Sequence, residues 1–121
     1  MAIESASPPR PSARSEHVIT VSTTEPAIGG PTTVHLSGEL DMLTSTALNR
    51  RLRQALRHSA DGLILDLSRM SFCDASGLGV LIDIQNRARS RGIALTLAAP
   101  RPSMSRLLRI TGLDRSFTLT A

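Results

Sequence analysis

The strongest structural signal in the chain is residues 62–92, which read GLILDLSRMSFCDASGLGVLIDIQNRARSRG. The run from Gly62 to Leu67 is short and almost wholly apolar, as in a strand that is covered on both faces of a sheet. After a polar connection, residues 76–91 have the pattern of a helix, and Gly92 would end it. Arginines in its last turns complement the helix dipole. This segment therefore predicts one strand followed by one helix.

The rest of the chain repeats this alternation. Residues 33–40 place Val34, Leu36 and Leu40 on one face and polar side chains on the other, as in a half-buried strand. We predict strands over 17–23, 33–40, 62–67, 93–98 and 117–120, and helices over 44–59, over 76–91 and from an N-cap at Ser103 to Gly112. The order β-β-α-β-α-β-α-β requires right-handed crossovers. We therefore expect a single α/β domain with packed helices and a mainly parallel β-sheet, to which an N-terminal β-hairpin adds one antiparallel edge.

Composition excludes several classes of protein. The chain has 121 residues, a net charge of +4 and only 2% aromatic residues. Its length fits one domain and excludes a two-domain enzyme. With so few aromatic side chains to stack on bases, we expect no direct contact with nucleic acid. Four arginines lie close together in the first predicted helix, and we interpret them as a solvated helix face rather than an anion-binding patch: Arg50, Arg51, Arg53 and Arg57.

Further features bear on location. Residues 1–15 are rich in Ser, Pro, Ala and Arg, which predicts a disordered tail, followed by one domain over residues 16–121. Cys73 is alone in the sequence, so it can form no intramolecular disulfide. No apolar run is long enough to span a bilayer, and the N-terminus lacks the apolar region of a signal peptide. We expect a cytoplasmic protein without membrane contact.

Two polar segments follow neighbouring predicted strands at their carboxyl ends, where parallel sheets meet ligands and partners. They are residues 38–41 (Gly-Glu-Leu-Asp) and residues 74–79 (Asp-Ala-Ser-Gly-Leu-Gly), and they should lie side by side. Asp41 and Asp74 could form a carboxylate pair, but loop capping is favoured.

Ser76 would stand at the start of the second predicted helix, where a serine is usually an N-cap or first-turn residue. Gly77 and Gly79 favour a functional role instead. Each glycine costs a helix about 1 kcal/mol relative to alanine, which suggests that something needs close access to this backbone. The two glycines also leave the Ser76 hydroxyl uncovered.

The helix that begins at Ser76 has three faces. One apolar stripe would face the sheet, namely Gly77, Val80, Leu81, Ile84 and Ala88, and a polar side would carry Gly79, Asp83, Asn86, Arg87 and Ser90. Leu78 and Ile82 fall on neither face and are continued by Gln85 and Arg89. This additional strip either packs under another helix or binds a protein partner.

No catalytic site is predicted. Ser76 lacks the first glycine of a nucleophile elbow, and none of His17, His35 and His58 lies in a context that would make it the base. We interpret His35 as a half-exposed sheet residue. The chain has no lysine for a phosphate-binding loop and no metal-ligand spacing. We therefore expect neither an enzyme nor a bound cofactor or metal.

These motifs together resemble those of the bacterial anti-sigma factor antagonists, which belong to the STAS domain family. The resemblance covers roughly residues 16–121 and is carried, in the family's order and spacing, by residues 38–41, 65–67, 72–81, 105–108 and 111–113. Each motif alone is weak, and the combination is specific.

The resemblance implies a protein that binds an anti-sigma factor, a serine kinase of the GHKL type, and so releases a sigma factor. In this family the kinase phosphorylates the residue that corresponds to Ser76, and a phosphatase of the PPM type reverses the reaction. This is partner switching, a form of transcription regulation that we expect to serve a stress response. The residues expected to contact the partner are Asp41, Asp74, Ala75, Gly77, Leu78, Gly79, Ile82 and Gln85.

A phosphate on Ser76 would add about −1.5 to −2 charges, which a helix N-terminus tolerates and an apolar interface on Leu78 and Ile82 would not. A second hypothesis remains open, that of a STAS adaptor subunit of a transport or signalling complex that is never phosphorylated. The family commonly has one more helix after the last strand. We find none before Ala121, and we expect exposed sheet or helix surface as a result.

Overall fold

The computed structural model describes residues 18–26 and 28–121. The predicted tail over residues 1–15, and His17, lie outside this range. In chain order the elements are β1 (Ile19–Thr24), β2 (Thr32–Leu40), α1 (Ser45–Arg57), β3 (Leu63–Cys73), α2 (Ala75–Ser90), β4 (Leu95–Ala98), α3 (Pro102–Thr111), a 3-10 helix (Leu113–Arg115) and β5 (Thr118–Thr120). The predicted order of strands and helices is confirmed.

The five strands form one sheet in the order β1-β2-β3-β4-β5. β1 pairs with β2 antiparallel, and every other neighbouring pair is parallel. This confirms the mainly parallel sheet with an N-terminal hairpin. Because each parallel strand is added on the same side of the last, three right-handed crossovers place all three helices on one face.

The core lies between that face and the helices. Alternate residues of the central strands are buried in it, among them Leu36, Leu65 and Leu97, together with apolar residues of all three helices. The burial pattern predicted for β2 is confirmed. The expectation that residues 62–67 form a strand covered on both faces is wrong. Ile64 and Asp66 are only half-buried, and no described helix covers their side of the sheet.

Two further predictions are wrong in detail. β3 continues beyond Leu67 to Cys73, because its polar second half still pairs with β2 up to Leu40. The N-cap of α3 is Arg101 rather than Ser103, and Pro102 opens the helix, where its missing N–H costs nothing. Gly112 ends α3 in the left-handed conformation with a φ of 77°, as predicted.

Each helix buries apolar residues against the sheet, and in α2 they are the predicted ones. In α1 the buried residues are Leu48, Leu52 and Leu56. In α2 the whole predicted stripe is buried, namely Gly77, Val80, Leu81, Ile84 and Ala88. None of the helices within residues 18–26 and 28–121 has the length and apolar character needed to cross a membrane.

Candidate functional site

The two polar segments meet at the carboxyl edge of the sheet, as predicted. Leu40 at the end of β2 is in register with Cys73 at the end of β3. The backbone N–H of Asp74 donates a hydrogen bond to the carbonyl of Leu40 over 3.2 Å. Parallel pairing of β2 and β3 therefore brings Asp41 and the start of α2 to the same edge.

Asp41 holds the turn that leads into α1. It is only 7% exposed. Its Oδ1 accepts hydrogen bonds from the N–H groups of Leu43 at 2.9 Å and Thr44 at 3.1 Å, and the Thr44 hydroxyl donates to the carbonyl of Glu39 at 2.9 Å. The capping interpretation of Asp41 is confirmed.

Asp74 is the N-cap of α2, and its Oδ1 accepts the N–H of Gly77 at 3.1 Å. Ser76 is therefore not the N-cap but the first-turn residue that the sequence analysis gave as the other possibility, because the carboxylate two residues earlier caps the helix. Ser76 is the second residue of the helix and is partly exposed. Among the residues that the structure describes, none forms a hydrogen bond with the Ser76 hydroxyl.

Gly77 and Gly79 have different surroundings. A Cβ at Gly77 would stand 2.6 Å from Leu40 Cγ and 2.7 Å from Cys73 Sγ. Gly77 is thus required by internal packing, and the groups that need close access to its backbone are Leu40 and Cys73 of the same domain. A Cβ at Gly79 would meet no described atom from elsewhere in the chain within 4 Å. No described group therefore requires glycine at position 79 for close packing, and a group that needs access there stays a prediction.

Gly79 and Ser76 border a cavity of about 320 Å³ between α1 and α2. The opposite wall is formed by α1, with Asn49, Arg50 and Arg53. Two of the four arginines interpreted as a solvated helix face therefore stand across a cavity from Ser76. The sequence could not show this, because the distance between α1 and α2 is set by the intervening strand.

A hydrogen-bond cluster joins the two helices further along. Asn49 Nδ2 donates to Asp83 Oδ2 at 2.9 Å, and Arg87 Nε donates to the same oxygen at 2.8 Å. The bond from Asn49, then the bond from Arg87, and to a smaller extent the nearby charge of Arg53, lower the pKa of Asp83. Asp83 thus stays ionised and holds α1 beside α2.

The predicted strip of Leu78, Ile82, Gln85 and Arg89 is covered in part. Leu78 is 7% exposed and belongs to the core, and Gln85 Nε2 donates to the carbonyl of Ser116 at 2.7 Å. Ile82 is left at 38% exposure. Arg89 is exposed as well, so half of the strip is covered within the domain and half is open, and both alternatives given above remain predictions.

Beside the two polar segments, three exposed apolar side chains were missed by the sequence analysis. Met42 is 72% exposed, Leu43 is 65% exposed and Phe72 is 49% exposed. They flank the two polar segments at the carboxyl edge of the sheet. Met42 and Leu43 lie in a turn whose N–H groups bond to Asp41, and this polar setting is the signal that could have identified them as exposed.

Among the described residues, the histidine and cysteine nearest in the motifs, His35 and Cys73, form no hydrogen bond with Ser76. His35 Nδ1 lies 2.8 Å from Asp66 Oδ2, and its Nε2 lies 3.0 Å from the Thr24 hydroxyl, on the sheet face away from the helices. Its half-exposed position confirms that prediction. Burial, and secondarily the charge of Asp74, raise the pKa of the Cys73 thiol to about 12. Within the described ranges, no cluster of His, Cys, Asp and Glu could hold a metal ion.

The chain is similar to known proteins over most of its length. A family model described as "Mlab, STAS domain" matches residues 24–120. The anti-sigma F factor antagonist of Paenibacillus polymyxa is 33% identical over 81 residues, which are 66% of this chain and 69% of that protein.

The chain is also similar in fold to solved structures. An anti-sigma factor antagonist from Mycobacterium paratuberculosis superimposes with a TM-score of 0.75 at 28% identity, over 85% of this chain and 86% of that chain. The Bacillus cell fate determinant SpoIIAA in its phosphorylated form gives a TM-score of 0.64 at 21% identity, over 84% of this chain and 91% of that chain, and so shares the fold.

Proposed function

This chain belongs to the STAS domain family, and we propose that it is an anti-sigma factor antagonist that is regulated by phosphorylation of Ser76. In its unmodified form it binds an anti-sigma factor serine kinase of the GHKL type, and the kinase then releases its sigma factor. Phosphorylated Ser76 ends this binding, and a PPM-type phosphatase restores it. The similarity to proteins named as antagonists supports this assignment. All of these partners act in the cytoplasm, where we expect the protein.

The observation that carries the proposal is the state of the Ser76 hydroxyl. It lies in the first turn of α2, partly exposed, and no described residue holds it, because Asp74 already caps the helix. A serine with a structural role would be hydrogen-bonded there. Ser76 is instead accessible to an external kinase.

The reaction uses this chain as substrate and not as enzyme. Ser76 Oγ attacks the γ-phosphorus of the kinase's ATP, the Oγ–P bond forms, and the bond to the bridging oxygen breaks to leave ADP. The hydroxyl proton passes to a base on the kinase. The chain needs only to present the hydroxyl on a rigid helix, which the packing of Gly77 against Leu40 and Cys73 supports.

The partner surface differs in part from the eight residues expected. Ala75, Gly79 and Ile82 are exposed and can touch a partner. Asp74 and Gln85 are partly exposed, and each forms an internal hydrogen bond. Asp41, Gly77 and Leu78 are buried, so we assign them to shaping the surface from below.

We add the exposed apolar residues Met42, Leu43 and Phe72 to this surface. A phosphate on Ser76 brings about −1.5 to −2 charges to the same edge of the sheet, and a partner that covers these apolar groups would have to desolvate it. We expect the affinity to fall by roughly 100-fold or more.

The test has two parts. The first is to purify the protein from its native cells, with and without stress, and to map phosphopeptides. We expect a phosphopeptide containing Ser76 whose abundance changes with conditions. Its persistent absence, with phosphatases inhibited, would instead support the adaptor hypothesis.

The second part measures the affinity of variants for the kinase that copurifies. Ser76→Ala should bind normally and take up no phosphate, whereas Ser76→Asp should bind weakly. Ser90→Asp is the matched control, because it adds the same charge at the exposed far end of α2. Equal affinity of Ser76→Asp and Ser90→Asp would contradict the proposed switch.

A further inference from the structure

We propose that Arg50 and Arg53 bind the phosphoryl group of phosphorylated Ser76 in the cavity between α1 and α2. This inference rests on the proposed phosphorylation of Ser76 and adds which residues of the same chain bind the phosphate once it is attached. The two arginines would form an intramolecular phosphate-binding site that stabilises the phosphorylated protein.

The cavity has the position and the space for this. Ser76 and Gly79 are one turn apart on α2 and form one wall, while Arg50 and Arg53 are close to one turn apart on α1 and form the other. The volume is about 320 Å³. Because Gly79 has no side chain and its surroundings are open, nothing at that position fills the space between Ser76 and α1.

The charges around the cavity favour an anion. Neither Arg50 nor Arg53 forms a hydrogen bond or an ion pair with any described residue, and no described carboxylate lines the cavity. The nearest acid on α2 is Asp83, which Asn49 and Arg87 already engage. Neither guanidinium group thus forms an ion pair with a described residue, and both stand across the cavity from Ser76, which would gain the negative charge.

Two negative charges compete with the phosphate. They are the carboxylates of Asp83, which interacts electrostatically with Arg53, and of Asp74, which lies two residues before Ser76. Asp83 is shared with Arg87, and Asp74 bonds to the N–H of Gly77 at the start of α2. Arg50 therefore faces no described competitor. The helix N-terminus adds further positive potential at Ser76.

The chemistry of the pair suits a phosphate dianion. A guanidinium donates two parallel hydrogen bonds to phosphate oxygens and stays charged at every relevant pH. A phosphate held in this way would tie the middle of α1 to the start of α2. These hydrogen bonds would have to break before the phosphate could be removed, so the modified state would be longer-lived.

The test uses protein in which phosphoserine is incorporated at position 76 during translation, so that no kinase is needed. The second pKa of the phosphate, near 6 for a free phosphoserine, is followed by phosphorus NMR. We expect it to be about 0.5 to 1 unit lower in the otherwise unchanged chain than in the double variant Arg50→Gln/Arg53→Gln, since a nearby opposite charge favours the dianion.

The matched control is Arg106→Gln/Arg109→Gln, which removes two exposed arginines from α3 and should leave the phosphate pKa unchanged. The same pKa in all three proteins would overturn the inference. A second readout needs no variant, because the Nε–H signals of Arg50 and Arg53 should shift as the phosphate ionises. Signals that do not move would also overturn it.

These outcomes are separable from those of the proposed function. If native cells contain no phosphate on Ser76, the proposed function fails while the translated phosphoprotein still reports on the arginines. If native phosphorylation is found but the phosphate pKa is the same with and without Arg50 and Arg53, only the binding of the phosphate by these arginines is contradicted.

Discussion

The start of α2 has two sides with different surroundings, although each carries a glycine. On the inner side, Gly77 is pressed against Leu40 and Cys73. On the outer side, Gly79 and Ser76 face an open cavity. The two glycines are two residues apart, and one is needed for close packing while the other leaves space. Packing on the inner side fixes the position at which the helix begins. Ser76 on the outer side is therefore held at a defined place beside the cavity.

The largest effect is expected for the reactivity of the Cys73 thiol, which depends on how tightly the inner side is packed. Its pKa is raised to about 12, so very little thiolate exists at pH 8. We expect a thiol reagent such as DTNB to react at least about 100-fold more slowly with the folded protein than with the unfolded chain, because only the thiolate attacks. The rate is measured by absorbance.

The sign of the pH dependence follows from the same shift. The neutral thiol is favoured in the folded state, so its contribution to stability is present below the ordinary thiol pKa and is lost as the pH rises above it. An exposed cysteine, Ser90→Cys in a Cys73→Ser background, is the matched control and should react at the rate of an unfolded thiol. Equal rates at the two positions would show that the inner side is open.

The next effect is that of Gly77→Ala. The added Cβ would meet Leu40 Cγ at 2.6 Å and the Leu40 carbonyl oxygen at 2.9 Å, and the backbone atom cannot turn aside. Overpacking of this kind costs about 1–3 kcal/mol, part of which the better helix propensity of alanine offsets. We expect a net loss in the free energy of unfolding, measured by urea denaturation, and faster reaction of Cys73. Unchanged stability would mean that α2 can move away from β2 freely.

A smaller difference is expected between Asp74→Ala and Ser76→Ala. Asp74 accepts the N–H of Gly77, and loss of an N-cap side chain costs about 0.5–2 kcal/mol. Ser76 has no described hydrogen-bond partner, so its removal should change the free energy of unfolding by less than about 0.5 kcal/mol. The two variants are compared by thermal and urea unfolding. If Ser76→Ala lowered the free energy of unfolding more than Asp74→Ala, Ser76 would have a structural role in the helix.

Much of the fold was predictable because it depends on local pattern. The alternation in β2 and the apolar stripe of α2 are each set by residues close in sequence, and both are confirmed. The extent of β3 was not predictable, because its second half is polar and is held by pairing with β2. The uncovered sheet face follows from the order of all five strands, and the apolar run over residues 62–67 carries no information about it.

The candidate site divides in the same way. The motif identified Ser76 and placed it beside the segment that ends at Asp41. What each neighbour does depends on the tertiary structure: Asp74 is the cap, and Gly77 is a packing residue. The position of Arg50 across the cavity depends on the separation of α1 from α2. No pattern within either helix encodes that separation.

The smallest effect, and the one that completes the comparison, is that of Gly79→Ala. The new Cβ would find open space, while alanine raises helix propensity by up to about 1 kcal/mol relative to glycine. We expect the free energy of unfolding to rise slightly, again by urea denaturation. The same substitution would thus have opposite signs at two positions in one turn, a difference that helix propensity alone cannot produce. A loss of stability in Gly79→Ala would mean that the outer side is packed in solution, and the space assigned to a phosphate on Ser76 would not exist.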